Sequence, residues 1–147
     1  VLFVAGKLDP KVGGQELENT EALTTFRRSL YYSVFPEQGG MSPLGELFDA
    51  PNPLDCYRRT KSIIPQQALA LTNSELIHKV SIDIAASIAD PSAEGFIIAA
   101  FERILSRKPT TSEIATCSQF LIDPANPRQR ESLVRALLNH NDFVTIR

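Results

Sequence analysis

The clearest pattern along the chain is a helical repeat of apolar residues in its second half. Four apolar residues spaced three or four positions apart follow the proline at position 65, among good helix formers: Ile77, Val80, Ile84 and Ile88. Residues at this spacing share one face of a helix. The pattern predicts either one long helix from Pro65 or two helices joined near Asn73.

Three further helices are predicted from their start signals. Asp90 with Pro91 starts the first, Thr110 and Glu113 have the spacing of a capping box, and Asn126 stands before Pro127 as an N-cap. The predicted buried positions of these helices are Ile97, Phe101, Ile104 and Leu105, then Ile114, Cys117 and Leu121, and finally Leu133, Val134, Leu137 and Leu138. The second half is therefore predicted to be a helical bundle.

The first half lacks this regularity. Residues 7–21 and 36–53 are rich in proline, glycine and polar side chains, which is typical of loops, with a short helix expected from Ser42 and Pro43. Between them, the apolar residues of TTFRRSLYYSVF (residues 24–35) fit both a four-residue repeat and strand-like alternation. We favour the helix for this segment.

These patterns together predict a mostly α fold, in which an irregular, proline-rich N-terminal half packs on a C-terminal helical bundle. A length of 147 residues fits a single domain, with residues 1–64 as its loop-rich part and residues 65–147 as the bundle. Residues 1–5, followed by Gly6, resemble the last turn of a helix. We therefore expect the chain to be the C-terminal fragment of a longer one.

Charge and composition argue against nucleic acid and anionic lipid as partners. The formal net charge is -2, with 15 basic and 17 acidic residues interspersed, so no basic patch for nucleic acid or anionic lipid is expected. No apolar run approaches the roughly 20 residues that cross a bilayer, so no transmembrane segment is expected in this chain.

Side chains for metal or cofactor chemistry are sparse. The only histidines, His78 and His140, are not followed at three or four positions by another metal-ligating side chain. The serines lack the G-x-S-x-G elbow, and the paired glycines at 13–14 and 39–40 fit turns better than a phosphate loop. We expect neither a metal site nor a cofactor in this chain.

The two cysteines, Cys56 and Cys117, are far apart and form no C-x-x-C pair, which argues against zinc. Two interpretations stay open for them. They could form one disulfide if the chain is exported, or remain as two buried or partly buried thiols.

One group of side chains is unusual for a loop-rich region. It combines several arginines with a carboxylate and two amides: Arg27, Arg28, Asp49, Arg58, Arg59, Gln67 and Asn73. The favoured interpretation is an internal network that ties the irregular half to the helices, because guanidinium groups require acceptors. The alternative is a site for an anion or an acidic glycan, with Tyr31, Tyr32 or Tyr57 stacking nearby.

An ordered series of motifs carries a family resemblance. It consists of RRSLY (27–31), FDAP (48–51), CYRR (56–59), PQQALALTN (65–73) and LVRALLNHNDF (133–143), after the opening GKLDPKVGG (6–14). The series resembles the C-terminal domain of unknown function 1553 found in large planctomycete proteins. The sequence departs from that pattern at Ser62 and Thr72.

The resemblance implies an exported parent protein with cytochrome-c-like and other domains, and hence an extracytoplasmic location, in the periplasm or on the cell surface. It implies no known reaction, and any haem would belong to another domain. The expected function is a non-catalytic binding or assembly module whose expected partners are other domains of the parent or a polysaccharide. The alternative is an enzyme acting on polysaccharide through Asp49 with Arg28, Arg58 or Arg59.

Overall fold

A computed structural model describes residues 1–21, 24–33, 45, 47–48 and 65–144. The chain divides into two compact units. The helical unit comprises Val1–Gly6 and Ala70–Arg147, and the loop unit comprises Lys7–Leu69. The predicted single domain and the predicted packing of the first half on the bundle remain predictions.

The described part of the chain is mostly α-helical, as predicted. Its helices are α1 (Pro65–Asn73), α2 (Glu75–Ser87), α3 (Ala93–Leu105), α4 (Thr111–Phe120), α5 (Pro127–Leu138) and α6 (Asn141–Val144). Of the two alternatives near Asn73, the structure shows two helices. Ser74 separates them, because its backbone is extended, with ψ of 127°. None of the helices in the described ranges is long and apolar enough to cross a membrane.

The predicted start signals of α4 and α5 act as caps. The Thr110 hydroxyl accepts a hydrogen bond from the Glu113 N–H at 3.3 Å, and the Glu113 carboxylate accepts one from the Thr110 N–H at 2.7 Å. These two bonds form the predicted capping box. The Asn126 side chain accepts from the Arg128 N–H at 3.0 Å, with Pro127 in the first turn of α5.

Helix α3 begins later than predicted, because Ser92 and not Asp90 is its N-cap. The Ser92 hydroxyl accepts from the Gly95 N–H at 3.1 Å. Asp90 supports this cap from outside the helix, since its carboxylate accepts from the N–H and the hydroxyl of Ser92 at 2.9 and 2.7 Å. The aspartate seen in the sequence therefore fixes the cap without being the cap.

The core of the helical unit is formed by the predicted faces. Helix α2 packs mainly on α5, and α3 packs on both α4 and α5. The buried core residues are Leu71, Ile77, Val80, Ile84, Ala85, Ile88, Phe96, Ile97, Ala100, Phe101, Ile104, Leu121, Leu133, Val134, Leu137 and Leu138. Leu105, Ile114 and Cys117, also predicted to be buried, are partly buried against this core.

The first residues form one helical turn, as their sequence predicts. The Ala5 N–H donates to the Val1 carbonyl at 3.0 Å, and Gly6 ends the turn with φ of 70°, a left-handed backbone that favours glycine. Arg103 Nε donates to the Val4 carbonyl at 3.0 Å, which ties this turn to α3.

The loop unit corrects the helix predicted for residues 24–35. Its described residues 24–33 form no α-helix: Arg28 and Tyr32 are extended on either side of a short 3-10 turn at Ser29–Tyr31, and the segment pairs with residues 9 and 17 through isolated parallel bridges. The Asp9 N–H donates to the Phe26 carbonyl, and the Ser33 N–H donates to the Leu17 carbonyl, both at 2.8 Å. Distant backbone partners thus replace the local bonds of a helix. The helix predicted at Ser42 and Pro43 lies outside the described residues.

Candidate functional site: the arginine–tyrosine cluster

Three residues of the RRSLY motif meet in the loop unit, and we call them the arginine–tyrosine cluster: Arg27, Arg28 and Tyr31. The 3-10 turn between them brings the Tyr31 ring back toward both arginines. The guanidinium carbon lies 3.8 Å from the ring centroid for Arg27 and 5.6 Å for Arg28. Both distances are within the range of cation–π attraction.

Arg27 ties the loop unit together. Its Nη2 donates to the carbonyls of Lys11 and Gly13 at 3.0 and 2.8 Å, and its side chain is only 11% exposed. Gly13 and Gly14 both have left-handed backbones, with φ of 78° and 103°, and their turn aims the Gly13 carbonyl at the guanidinium. These bonds hold Arg27 within the loop unit, and the predicted network between the irregular half and the helices stays a prediction.

The nearest described carboxylate to Arg27 is Asp9. Its Oδ2 lies 4.0 Å from Arg27 Nε, which is too long for a hydrogen bond, and its Oδ1 accepts from the Lys11 N–H at 2.9 Å. Arg27 Nε is consequently buried without a hydrogen-bond acceptor among the described residues.

Arg28 is bound much less completely. Within the described ranges, its hydrogen bond is one from Nη2 to Tyr31 Oη at 3.4 Å, which is long, and its buried Nε has no acceptor. Its side chain is half-buried. Arg28 therefore retains donors that the described part of the fold does not use.

The groups around the Tyr31 hydroxyl change its pKa. The Gly13 N–H donates to Tyr31 Oη at 3.0 Å. This hydrogen bond, with the positive charges of Arg28 and Arg27, lowers the pKa of Tyr31 against the opposing effect of desolvation. The Tyr31 hydroxyl therefore accepts a hydrogen bond and lies close to two positively charged side chains.

The other predicted site residues do not belong to the arginine–tyrosine cluster. The Tyr32 hydroxyl donates to the Thr25 carbonyl at 2.6 Å and therefore serves its own segment. Gln67 Nε2 donates to the Leu47 carbonyl at 2.9 Å, within the loop unit, and Asn73 is exposed at the end of α1. The predicted residues that lie outside the described ranges are Asp49, Cys56, Tyr57, Arg58 and Arg59.

The helical unit holds a second ionic centre, at Arg107, that sequence reasoning missed. Arg107 binds both carboxylate oxygens of Glu113, at 2.7 and 3.0 Å, and its Nε donates to Asp142 Oδ2 at 3.0 Å. The capping-box spacing identified Glu113 but not its arginine, and Asp142 is 35 residues away from Arg107 in sequence. This centre ties the start of α4 to α6.

The Glu113 pair predicts a dependence of stability on pH. The hydrogen bonds from Arg107 and then from the Thr110 N–H lower the pKa of Glu113 from 4.5 to about 2. Because the folded-state pKa is depressed, the stabilisation is present above pH 4.5 and is lost as the pH falls toward 2. Urea unfolding of the protein between pH 7 and pH 3 should therefore show a falling free energy of unfolding, and Glu113→Gln should flatten this fall.

Glu75→Gln is the matched control for that experiment. Glu75 pairs with Lys79 at 2.7 Å, but its side chain is 81% exposed, so solvent screens the pair and Glu75→Gln should leave the pH profile nearly unchanged. Superimposable pH profiles for Glu113→Gln and the unsubstituted protein would contradict the assignment.

Other arginines of the helical unit bond mainly to backbone carbonyls and neutral side chains. Arg130 is the most extensive case, because it donates to the carbonyls of Pro124, Ile88 and Asp90 at 2.6, 3.2 and 2.5 Å. Its guanidinium also lies 4.4 Å from the Phe96 ring centroid. These contacts join the α2–α3 connection, the α4–α5 connection and the core.

The histidines and Cys117 complete the set of reactive groups. Arg135 Nη1 donates to His78 Nδ1 at 2.8 Å, and the Asp142 N–H donates to His140 Nδ1 at 3.1 Å. Cys117 is half-buried, and burial raises the pKa of its thiol. The pairing of Cys117 with Cys56 stays a prediction. In the described ranges, no three His, Cys, Asp or Glu residues are grouped so that they could hold a metal ion.

Comparison with known proteins gives the family. The model of PSD1, a protein of unknown function (DUF1553), matches residues 1–121. The chain belongs to this family. The PSD1 match includes all the motifs named above except the last, at residues 133–143, and confirms the predicted family. No curated protein and no solved structure matches the chain.

Proposed function

We propose that this PSD1 chain is a non-catalytic binding or assembly module of an exported multidomain protein. Its partners are other domains of the parent or an extracytoplasmic polysaccharide. The proposal includes the planctomycete parent and its cytochrome-c-like domains, which rest on the resemblance of the motifs.

One observation supports the non-catalytic character most directly. Glu113, the carboxylate of the helical unit whose pKa is lowered to about 2, is engaged in bonds that hold the fold together. It caps α4 and binds Arg107, and these bonds use both of its carboxylate oxygens. A catalytic acid or base must instead reach a substrate proton.

The alternative function, an enzyme, requires Asp49 close to Arg28, Arg58 or Arg59. Of these four residues, Arg28 lies within the described ranges. Of the described residues, those near Arg28 supply a tyrosine and an arginine but no bonded carboxylate. This environment favours binding of an anion over general acid–base chemistry.

Incubation with polysaccharides tests the proposal. The purified chain is mixed with a panel of acidic and neutral polysaccharides and with the remaining domains of the parent protein. We expect retention on a polymer or complex formation with those domains, without release of reducing ends. Release of reducing ends, or the absence of both retention and complex formation, would contradict the proposal.

A further inference from the structure

The arginine–tyrosine cluster carries more positive charge than its described surroundings neutralise. Arg27 and Arg28 share the ring of Tyr31, and the nearby carboxylate, Asp9, makes no hydrogen bond to either. Asp9 is itself 43% exposed and accepts from the Lys11 N–H. The cluster therefore favours an additional negative group.

Within the described ranges, Arg27 makes more hydrogen bonds than Arg28. Arg27 has two carbonyl acceptors and a close stack on Tyr31, so its position is fixed. Arg28 has one long bond to Tyr31 Oη, and its Nε is shielded from water without an acceptor in the described ranges. The charge of Arg28 is therefore poorly compensated within the described ranges, and a carboxylate at its Nη atoms would compensate this charge without reaching the buried Nε.

A ligand can reach the half-buried Arg28 only through its Nη atoms, because Nε is shielded from water. A planar carboxylate matches a guanidinium fork with two parallel hydrogen bonds, and Arg27 adds charge behind it without having to move. The Tyr31 hydroxyl, already accepting from the Gly13 N–H, keeps Arg28 beside the ring.

We propose that Arg28, supported by Arg27 and Tyr31, binds the carboxylate of a uronic acid residue in an acidic polysaccharide. This inference rests on the proposed binding function and adds the chemical class of ligand. Arg28 is the group that contacts the carboxylate, whereas Arg27 and Tyr31 position it.

Titration of the whole chain with an oligogalacturonate tests the site, and the matching neutral galactan oligomer is the ligand control. We expect calorimetric binding of the oligogalacturonate that weakens with added salt, and no binding of the neutral oligomer. Arg28→Ala should weaken binding by roughly 10- to 100-fold, because it removes a charge-assisted bidentate bond. Arg28→Lys should restore only part of the affinity, since an ammonium keeps the charge but not the fork.

Arg128→Ala is the matched protein control, because Arg128 is an exposed arginine of α5. It should leave the affinity unchanged. A separate readout is the absorbance titration of the tyrosines: a carboxylate bound at Arg28 should raise the pKa of Tyr31, and Tyr31→Phe should abolish that change. A purely structural Arg28 would not produce this ligand-dependent shift.

Equal affinity of Arg28→Ala and the unsubstituted protein, or no binding at low salt, would overturn the inference. If Arg28→Ala fails to fold, Arg28→Lys and the tyrosine titration still decide the question. Failure here leaves binding of neutral polymers and assembly with other domains intact, whereas release of reducing ends contradicts the proposed function independently of this site.

Discussion

Replacing Phe96 with alanine should lower the free energy of unfolding by about 3–5 kcal/mol, the largest loss that we expect from a single substitution. Phe96 lies on α3, is 0% exposed and is among the largest fully buried side chains of the described core. Its removal would leave a cavity and would also remove the ring beneath the Arg130 guanidinium. Urea unfolding followed by far-ultraviolet circular dichroism measures the loss.

Phe3→Ala provides the matched control for Phe96→Ala. Phe3 belongs to the same helical unit, but its side chain is 80% exposed, so its truncation should change stability by less than about 0.5 kcal/mol. Similar losses for the two substitutions would show that the core is not packed around Phe96.

Arg130→Ala should be the most damaging replacement of a charged residue in the helical unit, lowering the free energy of unfolding by about 2–4 kcal/mol. The substitution leaves the carbonyls of Pro124, Ile88 and Asp90 without this donor. It also removes the cation above Phe96. Individual hydrogen bonds do not add, so the expected loss is smaller than three separate charged bonds would suggest.

Two further variants make the Arg130 experiment specific. Arg128→Ala removes an exposed arginine from the same helix and should have little effect on stability. Arg130→Lys keeps the charge but cannot reach three separated acceptors, so it should recover only part of the loss. Full recovery by lysine would mean that charge alone, and not the carbonyl bonds, stabilises this connection.

The helical unit was predictable because its determinants are local. Apolar spacing identified the buried faces, and the caps of α4 and α5 depend on residues within a few positions of each other. The start of α3 was misplaced because Asp90 resembles an N-cap in sequence, whereas Ser92 occupies the cap geometry.

The loop unit was less predictable because its bonds are non-local. Residues 24–33 satisfy their backbone through residues 7–17, and a four-residue apolar repeat contains no information about such partners. Tyr31 was one of three tyrosines expected near these arginines under the alternative interpretation, and both guanidinium groups lie over its ring. The acceptors of Arg27 were not predicted, because they are backbone carbonyls of Lys11 and Gly13, 16 and 14 residues earlier in the chain.

The contacts of the arginines in the helical unit were also hard to predict, because they join residues far apart in sequence. Arg130 reaches carbonyls 40 and 42 residues earlier in the chain, and Arg107 reaches Asp142 across 35 residues. Spacing along one helix cannot reveal these contacts. In both cases, the sequence placed the helices but not the side chains that join them.

The acceptors of Arg130 and of Arg107 respond differently to acid. Amide carbonyls keep their lone pairs at every pH in the ordinary range, whereas the Glu113 carboxylate beside Arg107 becomes protonated as the pH falls toward 2. Amide protons in the first turn of α4 should therefore lose protection from exchange over this pH range, while the three carbonyl bonds of Arg130 persist.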